Sequence, residues 1–237
     1  EYFEVEDEND FKKIISQGLL TQGKRLILGG GSNVLFTENF EGLVIKNNIK
    51  GIEVIGENED HVFVQAGAGE PWHEFVLHCI EKGWYGIENL SLIPGNVGAS
   101  PMQNIGAYGV EIKDVFHELE AVHIATGLTH HFDQASCEFG YRESIFKKEM
   151  KNQYLISQVT FKLAKQPRFR IEYGAIKQEL AQMNITKLTA KHVSDAVIRI
   201  RMSKLPDPKK LGNAGSFFKN PVVIQEVYDE LKTKHEH

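Results

Sequence analysis

Cysteine is nearly absent: the 237 residues include two, Cys79 and Cys137. Two thiols make no disulfide framework, and so few fit a reducing compartment. Long hydrophobic runs are missing as well. No segment approaches the roughly 20 apolar residues of a membrane span, and no secretory signal opens the chain. Nor is there an excess of positive charge: 27 Lys and Arg stand against 32 Asp and Glu, for a net charge of −5. That balance argues against nucleic acid and anionic membranes as partners. Repeats and low-complexity tracts are absent. The ten histidines are scattered, and the one metal-like grouping, His73-Glu74 with His78, has HExxxH spacing. An HExxH helix puts both His side chains on one face; this one does not, so no metal site is expected. What remains is an ordinary globular composition, with 41% hydrophobic and 25% charged residues, placed in the cytoplasm. The length allows one to three domains.

Along the chain, Phe11, Ile14, Ile15 and Leu19 predict a helix over 8–20, with Asn9 or Asp10 as its cap. Arg25–Leu28, Gly42–Lys46, Ile52–Ile55 and His61–Ala66 read as strands between turn residues. Trp72, Phe75, Val76, Cys79 and Ile80 form the apolar stripe of a helix over 72–82, which Pro71 introduces. A hairpin over 116–132 turning at Thr126-Gly127, and a strand over 154–163, follow. A segment with Ile176, Leu180 and Met183 is amphipathic. Thr189 caps a helix carrying Val193, Ala196, Val197 and Ile200, with Arg199 and Arg201 expected toward solvent. A last helix is expected from about Val222 to Leu231.

Two stretches have neither period. Gly29-Gly-Gly-Ser-Asn-Val-Leu-Phe36 follows a strand directly. Successive glycines and a Ser-Asn pair can form a nest of backbone N–H groups that binds phosphate oxygens, although the pattern is neither GxGxxG nor a P-loop. A plain glycine turn between strands is the competing reading. The second stretch, Leu90 to Gly109, carries Gly95, Gly98, Gly106 and Gly109 with Pro94 and Pro101. So long a loop inside a domain is functional or disordered, and Leu92, Ile93, Val97, Met102, Ile105 and Tyr108 need burial. Glycine lets backbone pass close to a partner such as a large flat cofactor; an irregular packed loop is the alternative. Arg142, set among Phe139, Tyr141 and Phe146, is either a packing arginine or a guanidinium held to grip a carboxylate.

Taken in order, Gly29–Phe36, Ile93–Gly109, Gly140-Tyr-Arg142 and Gly212-Asn-Ala-Gly-Ser-Phe-Phe-Lys-Asn-Pro221 resemble the UDP-N-acetylenolpyruvoylglucosamine reductase family, in its first type. The resemblance implies an α+β fold: a two-lobed FAD-binding module of the vanillyl-alcohol-oxidase type, followed by an incomplete α+β substrate-binding lobe. The lobes would span 1–56, 57–188 and 189–237. It implies FAD and NADPH as cofactors and UDP-N-acetylglucosamine enolpyruvate as substrate, in a monomer. Gly29, Gly30, Gly31, Ser32, Asn33 and Leu35 would cradle FAD. So would Ile93, Pro94, Gly95, Gly98 and Ala99, with Gln103, Asn104, Gly106, Ala107 and Tyr108 farther along. Arg142 would grip the substrate carboxylate, and Ser216 would protonate the α-carbon after hydride reaches the β-carbon. Tyr173, Lys204 and Asn220 would hold the sugar-nucleotide diphosphate or the nicotinamide cofactor.

Measured against that pattern, an Asn-Thr-Phe segment is expected before Glu1 and a third catalytic residue, a glutamate, beyond His237. Both ends therefore read as cuts in a longer protein, and this polypeptide is expected to bind FAD but reduce substrate poorly or not at all. Two other classes stay open: another flavoenzyme of the superfamily, such as an oxidase, and a non-catalytic flavin-binding fragment. No His or Cys lies between Arg25 and Phe40, which disfavours a covalent flavin link there.

Overall fold

In the computed structural model, which describes residues 1–20, 23–183, 185–207, 210–213 and 218–235, the chain begins with β1 (Tyr2–Val5) and α1 (Glu8–Ser16). β2 (Lys24–Leu28) and β3 (Gly42–Asn47) complete a parallel sheet in the order β1-β3-β2. Alternate residues of β3 are buried, and Leu43 and Ile45 meet Val5, Phe11 and Ile14. The cap of α1 is Asp7, not Asn9 or Asp10: its carboxylate accepts from the Asp10 N–H at 2.9 Å. Asp10 sits inside the first turn, where it pairs with Lys13 at 3.0 Å and favours the positive end of the helix dipole.

The second sheet is antiparallel, apart from local irregularities in register. It comprises β4 (Ile52–Glu57), β5 (His61–Gly67), β8 (Phe116–His123), β9 (Thr129–Asp133) and β10 (Tyr154–Ala164), in the order β4-β5-β10-β8-β9. Between β5 and β8 lie α2 (Trp72–Glu81) and a two-residue ladder of β6 (Gly106–Ala107) with β7 (Val110–Glu111). The stripe read on α2 is its buried face, where Trp72 and Phe75 pack on Phe161 of β10 with ring centroids 5.8 and 4.9 Å away. The outer side of the same sheet meets the first lobe: Val122, Ile124 and Leu155 share a core with Phe11 and Ile45. The division expected at 56/57 runs through β4, which pairs with β5. An isolated alternating run does not say which neighbour it will pair with.

α3 (Ile176–Gln182) and α4 (Ala190–Lys204) pack through Ile176, Leu180, Ala196, Val197 and Ile200. Thr189 does cap α4, its hydroxyl accepting from the His192 N–H at 3.3 Å. A boundary at 188/189 therefore separates two helices that share a core, and the first compact unit runs through Lys204. The second unit, 205–237, holds α5 (Gln225–Lys234), which starts three residues later than the apolar residues predict. Ile224 is extended and stands as its N-cap. Among the described residues no helix is long and apolar enough to cross a membrane.

Candidate active site

The glycine turn that ends β2 lies against the start of the long loop. A Cβ on Gly30 would stand 2.8 Å from Asn96 Oδ1 and 3.2 Å from the Gly95 Cα, and one on Gly95 would stand 3.1 Å from Ser32 Oγ. A side chain at either glycine would have to push its neighbour aside, so glycine favours this approach. Gly31 (φ 71°) and Gly95 (φ 110°) also hold backbone conformations that L side chains rarely take. On the other side, Cβ atoms on Gly29 and Gly31 would meet nothing within 4 Å. Among the described residues nothing accepts from the exposed N–H groups of Gly30, Gly31, Ser32 and Asn33. Open space, adjacent unpaired donors and the Lys46 ammonium, bonded to the Gly29 carbonyl, suit a pyrophosphate. Val34, Leu35 and Phe36 are exposed beside it, Leu35 at 86%. A phosphate-bearing group with flat apolar parts, which FAD is, matches that chemistry.

The long loop is fixed residue by residue. Its first part rests on α2: the Trp72 indole donates to the Leu90 carbonyl at 2.9 Å and the Trp72 N–H to that of Gly95 at 3.0 Å. Val97 and Gly98 donate to the carbonyls of Glu70 and Ala68. A Cβ on Gly98 would lie 2.4 Å from that of Ala68, so the loop reaches β5's end only as glycine. Ala99 is exposed and Pro94 too, while Ile93 packs on the main core. Ser100 Oγ is the one buried side-chain polar atom among the described residues without a partner. Such an orphan is costly unless something else reaches it.

Farther along, Asn104 (φ 44°) is buried, donates to the Gly140 carbonyl at 2.9 Å and accepts from the Lys113 N–H at 3.0 Å. Gln103 beside it is half-buried. Arg142 closes this end: its guanidinium donates to the carbonyls of Asn104, at 3.4 Å, and Gly106, lies 3.9 Å from Glu111 and sits 5.4 Å from the centre of the Tyr141 ring. Two carbonyls use two of its five N–H groups, and 33% of the side chain stays exposed. It is neither a buried packing arginine nor a free one, and donors remain for a carboxylate. The half-buried Gly106 and Ala107 form β6. Tyr108 (φ 50°) packs toward α3 and α4; burial raises its phenol, against a downward pull from Arg201.

Tyr173, 61% exposed, leans on Gly109, where a Cβ would stand 3.4 Å from its own. Lys204 is exposed at the end of α4. The structure thus gathers the two glycine stretches, Arg142 and Tyr173 along one loop. Asn220 is exposed in the second unit, and Ser216 lies outside the described residues.

Several loop-holding residues escaped the sequence reading. Asn89 donates to the carbonyls of Tyr108 (3.0 Å) and Arg170 (2.7 Å), and Arg170 to that of Gly109 (3.1 Å). Ser91 and Ser194 share a buried hydroxyl pair at 2.7 Å. Arg201, expected toward solvent, turns inward and donates to the Leu92 carbonyl at 3.1 Å. Bonds to backbone carbonyls leave no motif; the nearest clue was a serine on the apolar face of α4.

Residues 2–133 match the FAD binding domain family. Over 234 residues the chain is 52% identical to the UDP-N-acetylenolpyruvoylglucosamine reductase of Amoebophilus asiaticus (strain 5a2), covering 99% of this chain and 69% of that protein. It is 49% identical over 235 residues to the protein of the same name from Flavobacterium johnsoniae, again with 99% and 69% covered. The crystal structure of UDP-N-acetylenolpyruvylglucosamine reductase from Thermus caldophilus shares the fold, with a TM-score of 0.67 at 22% identity, over 97% of this chain and 72% of that one.

Proposed function

This chain belongs to the UDP-N-acetylenolpyruvoylglucosamine reductase family, and from that premise we propose that it reduces UDP-N-acetylglucosamine enolpyruvate to UDP-N-acetylmuramate, with FAD and NADPH, in peptidoglycan precursor synthesis. One observation carries the reading: a single loop lies against a donor-rich glycine turn at one end and is bonded to the Arg142 guanidinium at the other. The first suits a dinucleotide cofactor and the second an anionic substrate.

Hydride transfer, from NADPH to the enolpyruvyl β-carbon, is the chemistry the flavin supplies when bound; the protein supplies place and charge. Gly30 to Asn33 hold the pyrophosphate through backbone N–H groups. Negative charge then develops on the substrate α-carbon and its carboxylate. Arg142 offsets it with a guanidinium already oriented by two carbonyls, so little reorganisation is needed as the charge forms. Ser216 gives the proton to the α-carbon. A hydroxyl is a weak acid, but an enolate is a strong base, so a positioned O–H suffices. Tyr173, Lys204 and Asn220 hold the diphosphate or the nicotinamide cofactor. The reaction runs in a cytoplasmic monomer; two free, buried cysteines agree with a reducing compartment.

The test is an absorbance spectrum before and after anaerobic NADPH, then after the enolpyruvyl sugar nucleotide. A flavin band that bleaches with NADPH is expected, and in the full-length protein it should return with the substrate. Ser216→Ala should still bleach and fail to return. A protein that takes up no FAD overturns the reading; a Ser216→Ala variant that completes both steps overturns the proton donor alone.

A further inference from the structure

Leu92 is held in the left-handed region, φ 58°, two residues before Pro94. Leucine has no polar side chain with which to support that conformation locally, unlike the Asn and Asp that usually adopt it. The support comes from two helices instead. The Leu92 N–H donates to His73 Nδ1 at 3.0 Å, in the first turn of α2. The Leu92 carbonyl accepts from Arg201 Nε at 3.1 Å, in the last turn of α4. With Leu90 and Gly95 both tied to Trp72, the segment is pinned at its ends by one residue and in its middle by the next.

We propose that His73 and Arg201 are positioning residues of the cofactor loop: together they grip both backbone groups of Leu92 and set the path into Ile93, Pro94 and Gly95, and protonation of His73 releases half of that grip. The proposal deepens the FAD reading and rests on it for its effect on flavin, though not for the grip itself. The N–H of Leu92 can only donate, so His73 must be neutral with its proton on Nε2. A proton on Nδ1 would set two donors face to face. The charged groups around the ring are Arg201, from α4, and Glu74, beside it on α2. Burial pushes the imidazole below the ordinary histidine value; Glu74 opposes this and Arg201 adds to it. The grip is therefore closed at neutral pH and opens as pH falls below the ordinary histidine range, about 6.5. Arg201 keeps its charge throughout.

Two measurements on the intact chain decide this. In ¹⁵N NMR of the imidazole, without added flavin, His73 should show an unprotonated Nδ1 at neutral pH and titrate below the ordinary histidine value. An Nδ1-protonated ring, or ordinary titration, overturns the grip. In FAD titrations followed by fluorescence quenching, His73→Leu should weaken binding about tenfold or more at neutral pH. His73→Asn, whose Oδ1 can stand in for Nδ1, should restore most of it. The ratio of the wild-type Kd to the His73→Asn Kd should rise as pH is lowered toward about 5.5. His73→Leu binding FAD as tightly as wild type, or a flat ratio, overturns the positioning role. If wild type takes up no FAD while the NMR result holds, the grip stands and the flavin reading fails.

Discussion

The hydroxyl of Ser157 donates to the Glu8 carboxylate at 2.7 Å, joining the first helix to the central strand of the second sheet across 149 residues of chain. Thr129 Oγ1 donates to the other carboxylate oxygen at 2.8 Å and Lys12 Nζ reaches it at 3.1 Å. Close by, the Asn47 amide donates to the Ile156 carbonyl at 2.7 Å. The first sheet and its helix are thus joined to the second sheet by a polar latch as well as by a shared apolar core.

Burial pushes the Glu8 carboxyl up, but the bonds from Ser157, Thr129 and Lys12 outweigh it and hold the group below the ordinary glutamate value. A carboxylate depressed on folding adds stability above its unfolded pKa, and that contribution fades as pH falls through the folded value. Glu8→Gln is expected to lower stability by about 1–3 kcal/mol at neutral pH. The gap between wild type and variant should narrow below about pH 4.5 in urea unfolding. A gap independent of pH would show that the latch does not depend on charge.

Two loop glycines separate folding from cofactor binding. Gly98→Ala puts a methyl 2.4 Å from the Ala68 Cβ, against backbone and core that cannot retreat. It is expected to cost about 1–3 kcal/mol, read as a lowered Tm of the flavin-free protein. Gly29→Ala meets nothing within 4 Å and should leave the stability of the flavin-free protein within about 0.5 kcal/mol of wild type. Its FAD affinity should nevertheless fall, because the empty side of Gly29 is the proposed path of the pyrophosphate. Unchanged affinity in Gly29→Ala would move the pyrophosphate elsewhere.

Arg142→Lys replaces a planar fork that bonds the Asn104 and Gly106 carbonyls with a single ammonium. Reoxidation of reduced flavin by the enolpyruvyl substrate is expected to slow about 10²–10³-fold. Reduction by NADPH should change far less, as stopped-flow absorbance would separate. Equal loss in both half-reactions would assign Arg142 to flavin binding instead.

Glu88 is buried at 2% exposure, and its carboxylate accepts from the Gly86 N–H at 2.8 Å. Burial raises its pKa, so the folded state resists ionisation that the unfolded state undergoes freely. Its stabilising contribution is full below the ordinary glutamate value and is lost as pH rises through the folded value. Glu88→Gln keeps an acceptor without that penalty. Relative to wild type, the variant should gain stability as pH rises from about 4.5, measured by thermal unfolding across pH. A difference that stays flat would mean that Glu88 ionises freely in the fold.

The sequence by itself determined the elements and the chemistry-bearing types. The stripe of α2, the alternation of β3 and β5 and the Thr189 cap are local patterns, and a side chain's face follows from its spacing. The glycine stretches and the framed Arg142 were legible for the same reason: a backbone without Cβ atoms, and a guanidinium among aromatics, are visible one residue at a time. Tertiary structure alone decided which segments meet. That Gly30 lies on Asn96, that β4 joins the second sheet and that His73 and Arg201 close on Leu92 depend on packing between residues far apart in the chain. Those bonds end on backbone N–H and C=O groups, which every residue carries, so nothing in the partner's identity announces them.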